Sequence, residues 1–167
     1  DNVLVHAKPK HNVFIGHTRW ATYGTHTEGN AHPFMIENEH GKMVLAHNGT
    51  ISNIWALCYD HKVPSASINV DSLGLAHILN KDGFEVLNQY KGYAALLFQK
   101  LDEPDSLYAY HGASQLKENE DCEWEERPLF YMQTAEGIYF SSMEESLNAI
   151  KDSGDQVVKT LPHNVVY

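Results

Sequence analysis

Lys42-Met43-Val44-Leu45-Ala46-His47-Asn48-Gly49 sets an apolar run directly against an Asn-Gly pair, and the residues that follow change period. Between two strands, Asn-Gly most often closes a tight hairpin. Here Ile51, Ile54, Trp55 and Cys58 recur at helical spacing instead. A strand leading into a helix is therefore expected, with Asn48 and Gly49 at the junction. At such a junction the Asn side-chain amide and the Gly N–H are able to point at one oxygen, which is what an oxyanion hole requires. One such donor is worth about 3 kcal/mol of transition-state stabilisation.

Working outward, Val13-Phe14-Ile15, Ala94-Ala95-Leu96-Leu97-Phe98 and Leu129-Phe130-Tyr131-Met132 are short apolar runs bounded by Gly, Pro and Asn, which predicts strands. Ser106-Leu107-Tyr108-Ala109-Tyr110, Gly137-Ile138-Tyr139-Phe140 and Gln156-Val157-Val158-Lys159 add more, and their close turns suit antiparallel pairing. Asp71 heads a helical pattern through Leu73, Leu75, Ala76, Ile78 and Leu79 that stops near Gly83. A shorter helix is expected from Phe84 to Tyr90. The last starts at a capping box, Ser142 with Glu145, carries Leu147 and Ile150, and stops near Gly154. Helices outside antiparallel sheets make the fold class α+β. Residues 117–127 hold Glu118, Glu120, Asp121, Glu123, Glu125 and Glu126 without apolar spacing and read as a solvated loop.

At 167 residues and 43% hydrophobic the chain suits one domain, and its formal charge of -10 argues against nucleic acid or an anionic membrane as partner. The start Asp1-Asn2-Val3-Leu4-Val5 lacks the basic and apolar regions of a signal peptide. A cytoplasmic location is expected. The two cysteines give no disulfide framework. The 11 histidines are scattered without a His-Glu-x-x-His or Cys-x-x-Cys pair, so neither metal nor cofactor is expected.

Strand alternation puts Val13, Ile15, His17 and Arg19 on one face. Arg19 there is either half of a structural ion pair or a planar fork for a carboxylate, with Trp20 and Thr22 as the adjoining wall. Asp71 is a preferred helix cap, and its carboxylate also suits a ligand ammonium. His32, beside Pro33, reads locally as a satisfied loop histidine. Cys58 falls on the apolar side of its helix as a small buried hydrophobe, and Cys122 lies between Asp121 and Glu123, which disfavour its thiolate. Neither thiol is a nucleophile candidate.

Taken in order, His17-Thr18-Arg19-Trp20-Ala21-Thr22, Asn30-Ala31-His32-Pro33, His47-Asn48-Gly49 and Asp71 resemble the glutaminase domain of class II glutamine amidotransferases, an N-terminal nucleophile hydrolase family, in the branch of glucosamine-6-phosphate synthase. The likeness is strongest from Phe14 to Leu79. It implies a four-layer αββα sandwich of antiparallel sheets and hydrolysis of L-glutamine to glutamate and ammonia. It further implies that Arg19 holds the substrate carboxylate and Asp71 its ammonium, that Trp20, Thr22 and His32 complete the binding pocket, and that Asn48 and Gly49 form the oxyanion hole. Tyr23 stands where that branch usually has histidine. The family's nucleophile is an N-terminal cysteine, so residues 1–167 are expected to be a glutaminase-like domain whose first strands and Cys lie upstream of Asp1. No synthase or isomerase domain is expected within residues 1–167, so the ammonia acceptor is left unassigned, a separate synthase domain or chain being one candidate. The alternative is a catalytically inactive protein that binds glutamine or serves in assembly.

Overall fold

The longest strand of the computed structural model, β2 (Gly41–Ile51), pairs antiparallel with β1 (Phe34–Asn38) on one side and β3 (Gly92–Lys100) on the other. The model describes residues 12–18, 30–64, 66, 68–113, 127–151 and 156–167. Among them the sheet continues through β4 (Tyr108–Ala113) to β8 (Val165–Val166), in the order β1-β2-β3-β4-β8. A second sheet has β5 (Phe130–Gln133) between β6 (Ile138–Ser141) and β7 (Val158–Thr160), again antiparallel.

Two apolar cores follow from the alternation of β3. Ala94, Leu96 and Phe98 pack with Met43 and Leu45 against α1 (Ile54–Asp60) and α2 (Asp71–Asp82). Ala95 and Leu97 face the other way and pack with Ala109, Leu129, Tyr131, Phe140 and Leu161. Helix α3 (Glu144–Ala149) inserts Leu147 from the far side of the second sheet. The layers thus run helix, sheet, sheet, helix, an α+β arrangement of antiparallel sheets as expected. No helix among the described residues is long and apolar enough to cross a membrane.

Several local expectations change. Strand β2 does not end at Ala46 but carries His47, Asn48 and Gly49 within it, opposite Leu96, Ala95 and Ala94, and the helix begins only at Ile54. Asn48 and Gly49 are therefore ladder residues, because pairing with β3 overrides the local turn preference of Asn-Gly. Residues 13–15 are not a strand, although Val13, Ile15 and His17 are less exposed than Phe14, Gly16 and Thr18 between them. Strand β1 was not anticipated; the Glu39-His40 loop that joins it to β2 lacks a strong hairpin signal. Phe84–Asn88 is a 3-10 turn. Ser142 and Glu145 form no capping box: Met143 holds the N-cap position of α3 without a side-chain cap, its N–H donating to Ser141 Oγ. That helix stops at Ala149, before Gly154, and leaves Ile150 exposed.

Helices α1 and α2 meet at a glycine. A Cβ on Gly74 would lie 2.8 Å from Ile54 Cγ1 and 3.1 Å from Cys58 Sγ, so the close approach depends on the missing side chain. Cys58 itself is fully buried, and burial pushes its thiol pKa up, which makes it the apolar filler anticipated. Gly74→Val is expected to destabilise the fold by about 1–3 kcal/mol through overpacking, read by chemical denaturation; unchanged stability would show that α1 is not held at this distance.

Candidate functional site

The site is organised by the two faces of β2. Met43, Leu45 and His47 alternate toward the helices. His47 is 3% exposed, and its Nδ1 lies 2.8 Å from Ser72 Oγ on α2. Asn48 belongs to the opposite face, in register with Ala95, and is half-buried. Gly49 follows with φ +154°. A Cβ there would collide with the Tyr93 carbonyl oxygen and approach His47 Nε2 to 2.7 Å. Only glycine fits, and its bare backbone remains approachable.

Two residues further along, the Ile51 N–H donates to Asp71 Oδ2 at 2.8 Å. Oδ1 of the same carboxylate accepts the Ser72 N–H at 2.8 Å and the Ser72 hydroxyl at 3.3 Å. Asp71 is the first residue of α2 rather than its N-cap, which is Val70 in extended backbone. The carboxylate still satisfies a first-turn N–H and complements the positive end of the helix. It also ties the end of β2 to the start of α2. Carboxylate oxygens offer about four lone-pair sites, so a half-buried Asp71 with three protein donors retains capacity for one from a ligand.

His32 reaches the same strand from the other side. Its Nδ1 accepts the His47 backbone N–H at 3.2 Å, and its ring lies between those of His17 and Phe34, at centroid distances of 4.3 and 4.6 Å. The structure thus brings Asn48, Gly49, Asp71 and His32 to one end of β2. Arg19, Trp20 and Thr22, the other expected binding residues, lie outside the described residues, as do Tyr23 and Cys122. Ser72 and the His47 side chain were not singled out from sequence. They are 25 positions apart, and neither the strand nor the helix pattern signals that they touch.

Burial is the leading influence on His47 and lowers its pKa; the nearby His17 lowers it further, while the Asp71 charge and the Tyr93 carbonyl oppose this. That carbonyl favours the charged ring without making a well-formed hydrogen bond to Nε2. The folded-state pKa is therefore below the unfolded one, and on acidification the unfolded chain takes the proton first. Stability from this group is complete above about pH 7 and declines as pH falls below about 6.5, by up to about 1.4 kcal/mol per pH unit. Denaturation midpoints of wild type and His47→Gln at about pH 7.5 and about pH 5.5 should show a shallower acid loss in the variant. His77, also lowered by burial, leaves a residual slope.

The family model for class II glutamine amidotransferases matches residues 2–113, which include every part of the site just described. Glutamine–fructose-6-phosphate aminotransferases (isomerizing) of Thermococcus kodakarensis and Corynebacterium diphtheriae are 37% and 34% identical to this chain over 117 and 109 residues, covering 63% and 62% of it. The matches take in 19% and 17% of those relatives, so the chain spans no more than about a fifth of their length. Among solved structures, a glutamine phosphoribosylpyrophosphate amidotransferase of B. subtilis, complexed with ADP and GMP, superposes with a TM-score of 0.57 at 21% identity, over 79% of this chain and 28% of that one. This likeness extends the family match to the fold of the two sheets. The chain belongs to the class II glutamine amidotransferases.

Proposed function

We propose that this domain hydrolyses L-glutamine to glutamate and ammonia and passes the ammonia to a synthase domain or chain. The observation that carries the reading is the gathering of Asn48, Gly49 and Asp71 at one end of β2. Gly49 and Ile51, whose N–H holds Asp71, are two residues apart on the strand, a span of about 7 Å. A five-carbon amino acid bridges such a gap, with its ammonium at Asp71 and its side-chain carbonyl at Asn48 and Gly49.

In this reading Arg19 binds the α-carboxylate, and Trp20, Thr22 and His32 shape the pocket. Fixing both ends of the free amino acid presents the amide in one orientation, which removes much of the entropic barrier. The nucleophile is a cysteine at the N-terminus of the mature protein, upstream of Asp1; Cys58 is excluded by its burial and raised pKa. The thiol attacks the amide carbon, the oxyanion is held by the Asn48 side-chain N–H and the Gly49 N–H, and ammonia leaves as a thioester forms. Water then releases glutamate.

Ammonia release from L-glutamine by the full protein tests the proposal. Asn48→Ala is expected to lower kcat about 10²–10³-fold, with KM little changed. Arg19→Ala should raise KM about tenfold or more, as loss of a charge-assisted fork implies. Glutamine binding without ammonia release from wild type would assign a binding role instead, and loss of neither activity in the variants would remove these residues from the site.

A further inference from the structure

The His47 side chain is buried, polar and unused by the proposed reaction, yet it touches both halves of the site. On one edge Nδ1 lies 2.8 Å from Ser72 Oγ, and Ser72 contributes its N–H at 2.8 Å and its hydroxyl at 3.3 Å to Asp71 Oδ1. On the other edge Nε2 fills the space beneath Gly49, where a Cβ would stand 2.7 Å away. The His47 backbone is held from a third direction, since its N–H donates to His32 Nδ1. A leucine would fill the same volume apolar core at lower desolvation cost. A histidine there, at 3% exposure, instead offers Nδ1 to Ser72 and a ring edge that backs the Gly49 main chain.

We infer that His47 is a positioning residue that joins the ammonium end of the glutamine site to its oxyanion end, setting the Asp71 carboxylate through Ser72 and supporting the Gly49 backbone through its ring. The inference rests on the glutaminase reading. Its two edges make separable predictions, because a residue that acts only on ground-state binding moves KM, while one that acts on the oxyanion moves kcat. Ser72 serves the first edge alone. The ring beneath Gly49 serves the second.

The test is glutaminase kinetics of the full protein with Ser72→Ala, Ser72→Thr and His47→Asn, each checked for folding by circular dichroism. Ser72→Ala is expected to raise KM for glutamine about fivefold, the scale of one hydrogen bond's net worth, with kcat held, and Ser72→Thr, which keeps the hydroxyl, to restore it. His47→Asn keeps a polar atom near the Nδ1 position but empties the space under Gly49. It should lower kcat about tenfold, as a partly misaligned oxyanion donor implies, with KM close to wild type. Equal losses in kcat and KM for both positions, or a Ser72→Thr variant no better than Ser72→Ala, would overturn the inference while leaving the glutaminase reading intact. Absence of turnover in the wild type would overturn both. Should His47→Asn fail to fold, the Ser72 pair still decides the first edge.

Discussion

Everything at the site depends on the pairing of β2 with β3, from Met43 opposite Lys100 to Ile51 opposite Gly92. That ladder carries the apolar residues of the helix-side core and the polar residues of the site on one continuous strand. It persists through Gly49 because Tyr93 and Gly49 approach so closely that no side chain fits between them. The carboxylate of Asp71 then locks the end of the ladder onto α2 by accepting the Ile51 N–H. Sheet, helix and site are joined through one strand end.

Much of the fold was legible because its elements obey simple periods. Helix α2 was readable from Asp71 to Gly83, since its apolar residues recur every three to four positions and a glycine ends it. The run from Ala94 to Phe98 was readable as a strand, but not that its alternate residues serve two different cores. What was hidden is long-range. Nothing near Asn48-Gly49 reveals that Ala94 and Ala95 will pair with them and suppress a turn.

The site shows the same division. Asn48, Gly49 and Asp71 were marked by residue type, order and spacing, which a chain displays along its length. Ser72 was not, because a serine inside the first turn of a helix is unremarkable until a histidine from a distant strand is found against it. His47 was visible as part of a motif, yet its pKa, lowered chiefly by burial, and its contact with Ser72 arise only once β2 packs against α2. Motif reading names groups that act on ligands more readily than groups that act on other groups.

The alternation of β2 has one more consequence. Side chains of a strand change face at every residue, so a slip of one position would turn His47 away from the helices and send Asn48 into their core, along with the whole apolar set from Met43 onward. Fold and chemistry therefore share a single register. A chain that has paired this strand wrongly loses the arrangement of the site and turns its apolar face to water in the same step.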